Sequence, residues 1–108
     1  MQTLELPPQT QSALRDIARR AGLAAGAKLV LVFGSVARGE ALVGSDLDLL
    51  LVMDDESNLL EAGLKAQREF SPRRFPMDFV TLYERDFLDP LNGLSLEAKR
   101  DGLVLYAR

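Results

Sequence analysis

Asp46-Leu47-Asp48 places two carboxylates at the mouth of a stretch that turns wholly apolar through Met53. On a β-strand, positions i and i+2 leave the same face, so both acids stand on one side, roughly 6.6 Å apart along the chain. Like charges held that close repel unless a cation lies between them. Hard divalent ions with oxygen ligands, Mg²⁺ in particular, meet that need. Leu47, Leu49 and Leu51 occupy the opposite face, while Leu50 and Val52 lie deeper on the acids' own face, so the pair sits at the border between core and cleft. Taken alone, Asp-x-Asp is more often a solvated acidic strand end.

Gly34-Ser35 follows the apolar run Lys28 to Phe33 and opens what reads as a helical turn. Glycine permits a tight backbone there, and the free N–H groups of a helix start form an anion site suited to phosphate, with the Ser35 hydroxyl as a further donor. Gly34-Ser-Val-Ala-Arg-Gly39 imitates the first part of a P-loop, but Glu40-Ala41 stands where Lys and Ser/Thr are required, which excludes a Walker A site. A lone Gly-Ser after a strand is usually only a turn. A third acid, Asp78, interrupts the apolar stretch Phe75-Pro-Met-Asp-Phe-Val80. A carboxylate in such a place is costly unless something positive meets it. If its strand lies beside that of Asp46, three carboxylates converge, as two metals about 3.5–4 Å apart that clamp an in-line phosphoryl displacement require. The competing arrangement pairs Asp78 with Arg73, Arg74 or Arg38 as a structural ion pair.

The elements that must hold these residues follow from periodicity. Leu14, Ile17, Ala18 and Ala21 recur at helical spacing, with Thr10 or Ser12 as cap and Gly22 as stop. Lys28 to Phe33 reads as a central strand, and residues 36–45, with two glycines, allow one short helical turn and a loop. Asp46 to Met53 is a second buried strand. Asp54 to Asn58 is an acidic helix entry, and Leu59, Gly63, Ala66 and Phe70, flanked by Leu60 and Leu64, form the stripe of a second long helix, all read as core. A loop over 71–76, a third strand from Met77 to Leu82, a short helix from Ser95 to Asp101 stopped by Gly102, and an edge strand from Leu103 to Tyr106 complete the chain. Phe87, Leu88, Leu91 and Leu94 are apolar in a stretch broken by Pro and Gly, and either cap the core or meet a partner. The fold class is α/β (α+β): a small mixed sheet of three to four strands flanked by helices.

The 108 residues are expected to form a single domain spanning 1–108. The chain has no cysteine and no histidine, which excludes disulfide scaffolds, thiol nucleophiles, Cys/His zinc sites, Ser-His-Asp triads and imidazole acid–base schemes. Chemistry must come from carboxylates, hydroxyls, Lys or Arg, and oxygen-loving metals. A net charge of -3 offers no basic field for a nucleic-acid backbone, so no direct nucleic-acid contact is expected. The longest apolar runs fall well short of the ~20 residues of a bilayer span. The N-terminal residues lack the zones of a signal peptide, so a cytoplasmic location is expected.

Gly34-Ser35, ten residues, Asp46-Leu-Asp48, and Asp78 on a later strand together resemble the signature of the DNA polymerase beta-like nucleotidyltransferase superfamily. More narrowly, the run from Gly34 to Val52 is similar to the minimal nucleotidyltransferases, or MNT proteins, and the Glu97 to Tyr106 ending is similar to their usual finish. The resemblance spans about residues 28 to 82. It implies the polymerase beta-like fold and nucleotidyl transfer from a nucleoside triphosphate, with ATP as substrate and two Mg²⁺ ions. In that scheme Asp46 and Asp48 bind both ions, Asp78 completes the ion that holds the attacking hydroxyl, Gly34 and Ser35 cradle the β/γ-phosphates, and Arg38 adds a phosphate contact. Larger relatives append an acceptor-holding domain, so here the acceptor is expected from elsewhere. The resemblance implies an antitoxin that places AMP on a tyrosine of a HEPN-domain toxin partner. Two other readings stand beside it: a non-catalytic module that masks its partner, and a nucleotidyltransferase for small-molecule hydroxyls like those acting on aminoglycosides.

Overall fold

The computed structural model describes residues 8–33, 47–71 and 77–108. There the chain runs α1 (Pro8–Ala25), β1 (Leu29–Phe33), β2 (Leu47–Met53), α2 (Leu59–Glu69), β3 (Met77–Tyr83), α3 (Glu84–Phe87), α4 (Gly93–Asp101) and β4 (Leu103–Ala107). The strands form one sheet in the order β3-β2-β1-β4. β1 is antiparallel to both β2 and β4, whereas β2 and β3 run parallel, joined by the crossover helix α2. This is the mixed, helix-flanked sheet that periodicity predicts, with the last strand at an edge. The short turn expected within 36–45 and the loop over 72–76 lie outside the described residues.

Alternation along β2 divides the core in two. Leu47, Leu49, Leu51 and Met53 join Val30 and Val32 beneath α1 and α2, where Leu14, Ala18, Ala21, Ala62 and Ala66 meet them. Leu50 and Val52 face the other way with Leu31 and Phe33, and Phe87 of α3 and Ala98 of α4 cover that side. Because β1 and β2 are buried on both faces, their sequences are continuous apolar runs. Each fully buried leucine, such as Leu49, Leu50 or Leu51, contributes about 1.5–3 kcal/mol.

Several local expectations are corrected. Gly22 does not stop α1, which continues to Ala25 and turns at Gly26, where φ is +75°. Gly22 instead admits the Tyr106 ring, which a methyl group at that position would overlap. The ring reaches it because the β1–β4 register shifts between Val30 and Leu31, leaving Leu105 and Tyr106 both packed on the α1 side. Thr10 and Ser12 lie inside α1, which starts at Pro8, so neither is its cap.

On α2, Leu60 and Leu64 are 75% and 42% exposed, while Ala62 and Ala66, with Leu59 at its start and Phe70 just past its end, pack into the core beneath it. Two alanines let the helix sit close to the strands and rotate the leucines outward. Asn58, not the acids before it, caps α2 by accepting the Glu61 N–H at 3.0 Å. α4 begins two residues earlier than expected because Asn92 accepts the Ser95 N–H at 2.9 Å. In the broken stretch, Phe87 is buried while Leu88 and Leu91 are exposed, and the Leu94 side chain lies outside the described set. No helix among the described residues is long and apolar enough to cross a membrane.

Candidate active site

Asp48 is the second residue of β2 and half-buried; it alone is polar in a strand whose other residues are all buried. Asp78 is the second residue of β3 and exposed. The register pairs Asp48 with Phe33 on one side and with Asp78 on the other. Neighbouring strands lie about 4.8 Å apart, and residues opposite one another share a face. Asp48 shares its face with Leu50 and Val52, and Asp78 with Val80 and Leu82, so both acids leave on the side of the second core cluster. The apolar residues enforce this arrangement. A slip of one residue along β2 would turn Asp48 into the core under α1 and α2 and move the leucines packed there to the opposite face.

Two carboxylates in register repel, and no Lys or Arg among the described residues pairs with Asp78. Hard oxygen donors on adjacent strands, half in solvent, form a donor set that fits a divalent cation of the Mg²⁺ type. Asp46, which immediately precedes β2, lies outside the described residues, as do Gly34, Ser35 and Arg38 and the alternative partners Arg73 and Arg74. No group of three or more acids that could hold a metal occurs among the described residues.

The opposite end of the sheet carries a second charged cluster that periodicity does not reveal. Arg108 grips Asp54 through both terminal guanidinium nitrogens, at 3.1 and 3.2 Å, and its backbone N–H donates to the Lys28 carbonyl at 2.8 Å. The Lys28 ammonium bridges Glu84 at 3.0 Å and Asp54 at 3.5 Å. The Arg108 hydrogen bonds hold the Asp54 carboxyl below the usual carboxylate range, and the Glu84 contact raises the Lys28 ammonium above its ordinary value. Asp55 accepts the Arg85 N–H at 2.9 Å. Asp54 and Asp55 therefore tie Arg108, just past β4, and α3 to the end of β2. A cleft of about 480 Å³ opens here, lined by Lys28, Asp54, Asp55, Glu56, Ser57 and Glu84. Along β2 it lies on the order of 15 Å or more from Asp48, and Lys28 and Arg108 pair with two of its four acids, Asp54 and Glu84. We read it as a brace.

Comparison with known proteins places this geometry. The nucleotidyltransferase domain family matches residues 12–100. A protein of Sulfolobus solfataricus solved as a candidate nucleotidyltransferase shares the fold with a TM-score of 0.59 at 24% identity, covering 93% of this chain and 86% of that one. A toxin–antitoxin structure with AMP-PNP superposes with a TM-score of 0.58 at 19% identity, covering 94% of this chain and 75% of that one. No curated protein matches. The mixed four-stranded sheet with flanking helices is the polymerase beta-like nucleotidyltransferase fold, and the chain belongs to the nucleotidyltransferase domain family.

Proposed function

We propose that this chain transfers AMP from ATP to a hydroxyl of a separate protein, a tyrosine of a HEPN-domain toxin, and acts as the cytoplasmic antitoxin of that pair. The in-register Asp48–Asp78 pair carries the nucleotidyl-transfer part of the reading. The likeness to a toxin–antitoxin structure with AMP-PNP supports the partner and the nucleotide. Asp46, Asp48 and Asp78 would hold two Mg²⁺ ions, with Asp78 on the acceptor's side. Bound there, the ions would lower the pKa of the acceptor hydroxyl and offset the charge of the triphosphate. The hydroxyl oxygen bonds to the α-phosphorus, and the bond from that phosphorus to its bridging oxygen breaks. Pyrophosphate leaves with the electron pair, while the Asp78 carboxylate takes the hydroxyl proton. Gly34 and Ser35 hold the β/γ-phosphates, and Arg38 adds a contact, on the strength of the sequence motif.

Incubation with Mg²⁺, the folded toxin partner and ATP labelled at the α-phosphate tests the reading. Label is expected on the partner, and its loss with Asp48→Asn. A folded pair that transfers nothing from any nucleoside triphosphate overturns the enzymatic reading. Protection that survives substitution of both Asp46 and Asp48 by Asn identifies a masking module.

A further inference from the structure

The outer ridge of α2 is a surface that neither the core nor the acid pair uses. Ala62 and Ala66 turn inward, with Leu59 and Phe70 beside them, which leaves Leu60 and Leu64 in solvent at 75% and 42% exposure. Residues four apart stack into one row along a helix, so the two leucines are neighbours on the ridge. The same spacing continues at both ends. Arg68 follows Leu64 by four residues in the last turn, and Glu56 precedes Leu60 by four in the turn before the Asn58 cap. Both are exposed, and among the described residues neither makes an ion pair. The neighbouring charges are already paired, Glu61 with Lys65 at 3.0 Å and Glu69 with Arg20 at 3.0 Å. The row therefore runs acid, leucine, leucine, cation from the N-terminal end of the helix to its C-terminal end.

We propose that this ridge is a contact between two copies of the chain, with α2 packed antiparallel on α2 about a two-fold axis between Leu60 and Leu64. A two-fold contact must be self-complementary, and the row meets that requirement. With the axis there, Leu60 lies against Leu64 of the partner subunit and Glu56 against Arg68 of the partner subunit, each contact occurring twice. A parallel pairing would set acid against acid and cation against cation. Rows at four-residue spacing are also the ridges that interdigitate in the commonest packing of two helices. Any other protein seated here would need its own acid and cation in the reverse order, whereas a second copy already carries them. The leucines supply the attraction and the charges select the orientation. A single helix pair is a small interface, so the dimer is expected to be weak, with a dissociation constant in the micromolar range or above. α2 lies on the face of the sheet opposite Asp48 and Asp78, so the pairing leaves the face of the acids uncovered.

Sedimentation velocity of the full chain, over concentrations rising to about 1 mM, tests the contact. The mass is expected to move from monomer toward dimer. Leu60→Gln, at an exposed position that spares the fold, is expected to raise the dimer dissociation constant about tenfold or more. Glu56→Arg and Arg68→Glu should each weaken the dimer when alone, yet a mixture of the two variants should dimerise, because every end contact is then between opposite charges. Misfolded chains could not give that recovery. A parent chain that stays monomeric throughout overturns the inference, as does a Leu60→Gln dimer of parent strength or a mixture no stronger than either charge variant alone. A chain that is monomeric by itself, but whose complex with a separate toxin is weakened by Leu60→Gln, overturns it in favour of a different occupant. Each of these results leaves the nucleotidyl-transfer reading standing, since that reading concerns the other face of the sheet.

Discussion

Asp48 and Asp78 face each other directly across the parallel β2–β3 pair, one half-buried and the other exposed, on the side of the sheet that α3 and α4 cover. Like charges directly opposite in a sheet destabilise it by roughly 0.2–1 kcal/mol. Asp78→Asn is therefore expected to raise the thermal midpoint slightly in metal-free buffer while abolishing transfer, at least a hundredfold if Asp78 takes the proton. Calorimetry in EDTA alongside the labelling assay checks both halves. Asp48→Asn follows the same pattern for activity.

At the far end of the sheet the expected behaviour is the reverse. Asp54→Ala removes the anchor of Arg108 and one partner of Lys28. The groups are solvent-exposed, so the loss is expected to be small and to shrink further at high salt. Denaturant unfolding at two ionic strengths should show that dependence, and nucleotidyl transfer should be unaffected.

The same cluster has a defined pH window. The Asp54 pKa is lowered in the fold, chiefly by the hydrogen bonds from Arg108, so its contribution is present above the unfolded pKa and disappears as pH falls through the folded one. The Lys28 pKa is raised, chiefly by Glu84, so its contribution is present below the unfolded pKa and disappears as pH rises through the folded one. Between roughly pH 5 and 9 the cluster contributes a constant amount. Unfolding free energies measured across pH for the parent and Asp54→Ala should run parallel over that range and converge in acid.

Gly22→Ala places a methyl group into the Tyr106 ring. Despite the helix preference for alanine, overpacking of this kind typically costs about 1–3 kcal/mol. Denaturant unfolding of Gly22→Ala, Tyr106→Leu and the double variant should show coupling: the smaller residue at 106 relieves the clash.

Ser95 is fully buried, and its hydroxyl donates to the Phe87 carbonyl, joining α4 to α3. Ser95→Ala leaves that carbonyl unpaired, at an expected loss of about 1–3 kcal/mol. Measured against Leu60→Gln on the exposed face of α2, which should move stability by no more than about 0.5 kcal/mol, the contrast tests the burial pattern.

The amino-acid sequence alone determined the kinds of element and the face on which the acids stand. Continuous apolar runs mark strands buried on both sides, and period-two spacing puts Asp48 with Leu50 and Val52. It could not determine which strands are neighbours, because strand pairing depends on contacts remote in sequence. The meeting of Asp48 with Asp78 required the parallel crossover through α2. Tertiary packing also overrode local signals: Gly22 yielded its role as a stop to the need to admit Tyr106, and Leu60 and Leu64 turned outward because two alanines brought α2 closer to the sheet. The clasp of Lys28, Asp54, Glu84 and Arg108 joins four segments far apart in the chain, so spacing carries no trace of it. Periodicity is a property of one segment, whereas a site is a property of several, assembled only when the sheet closes.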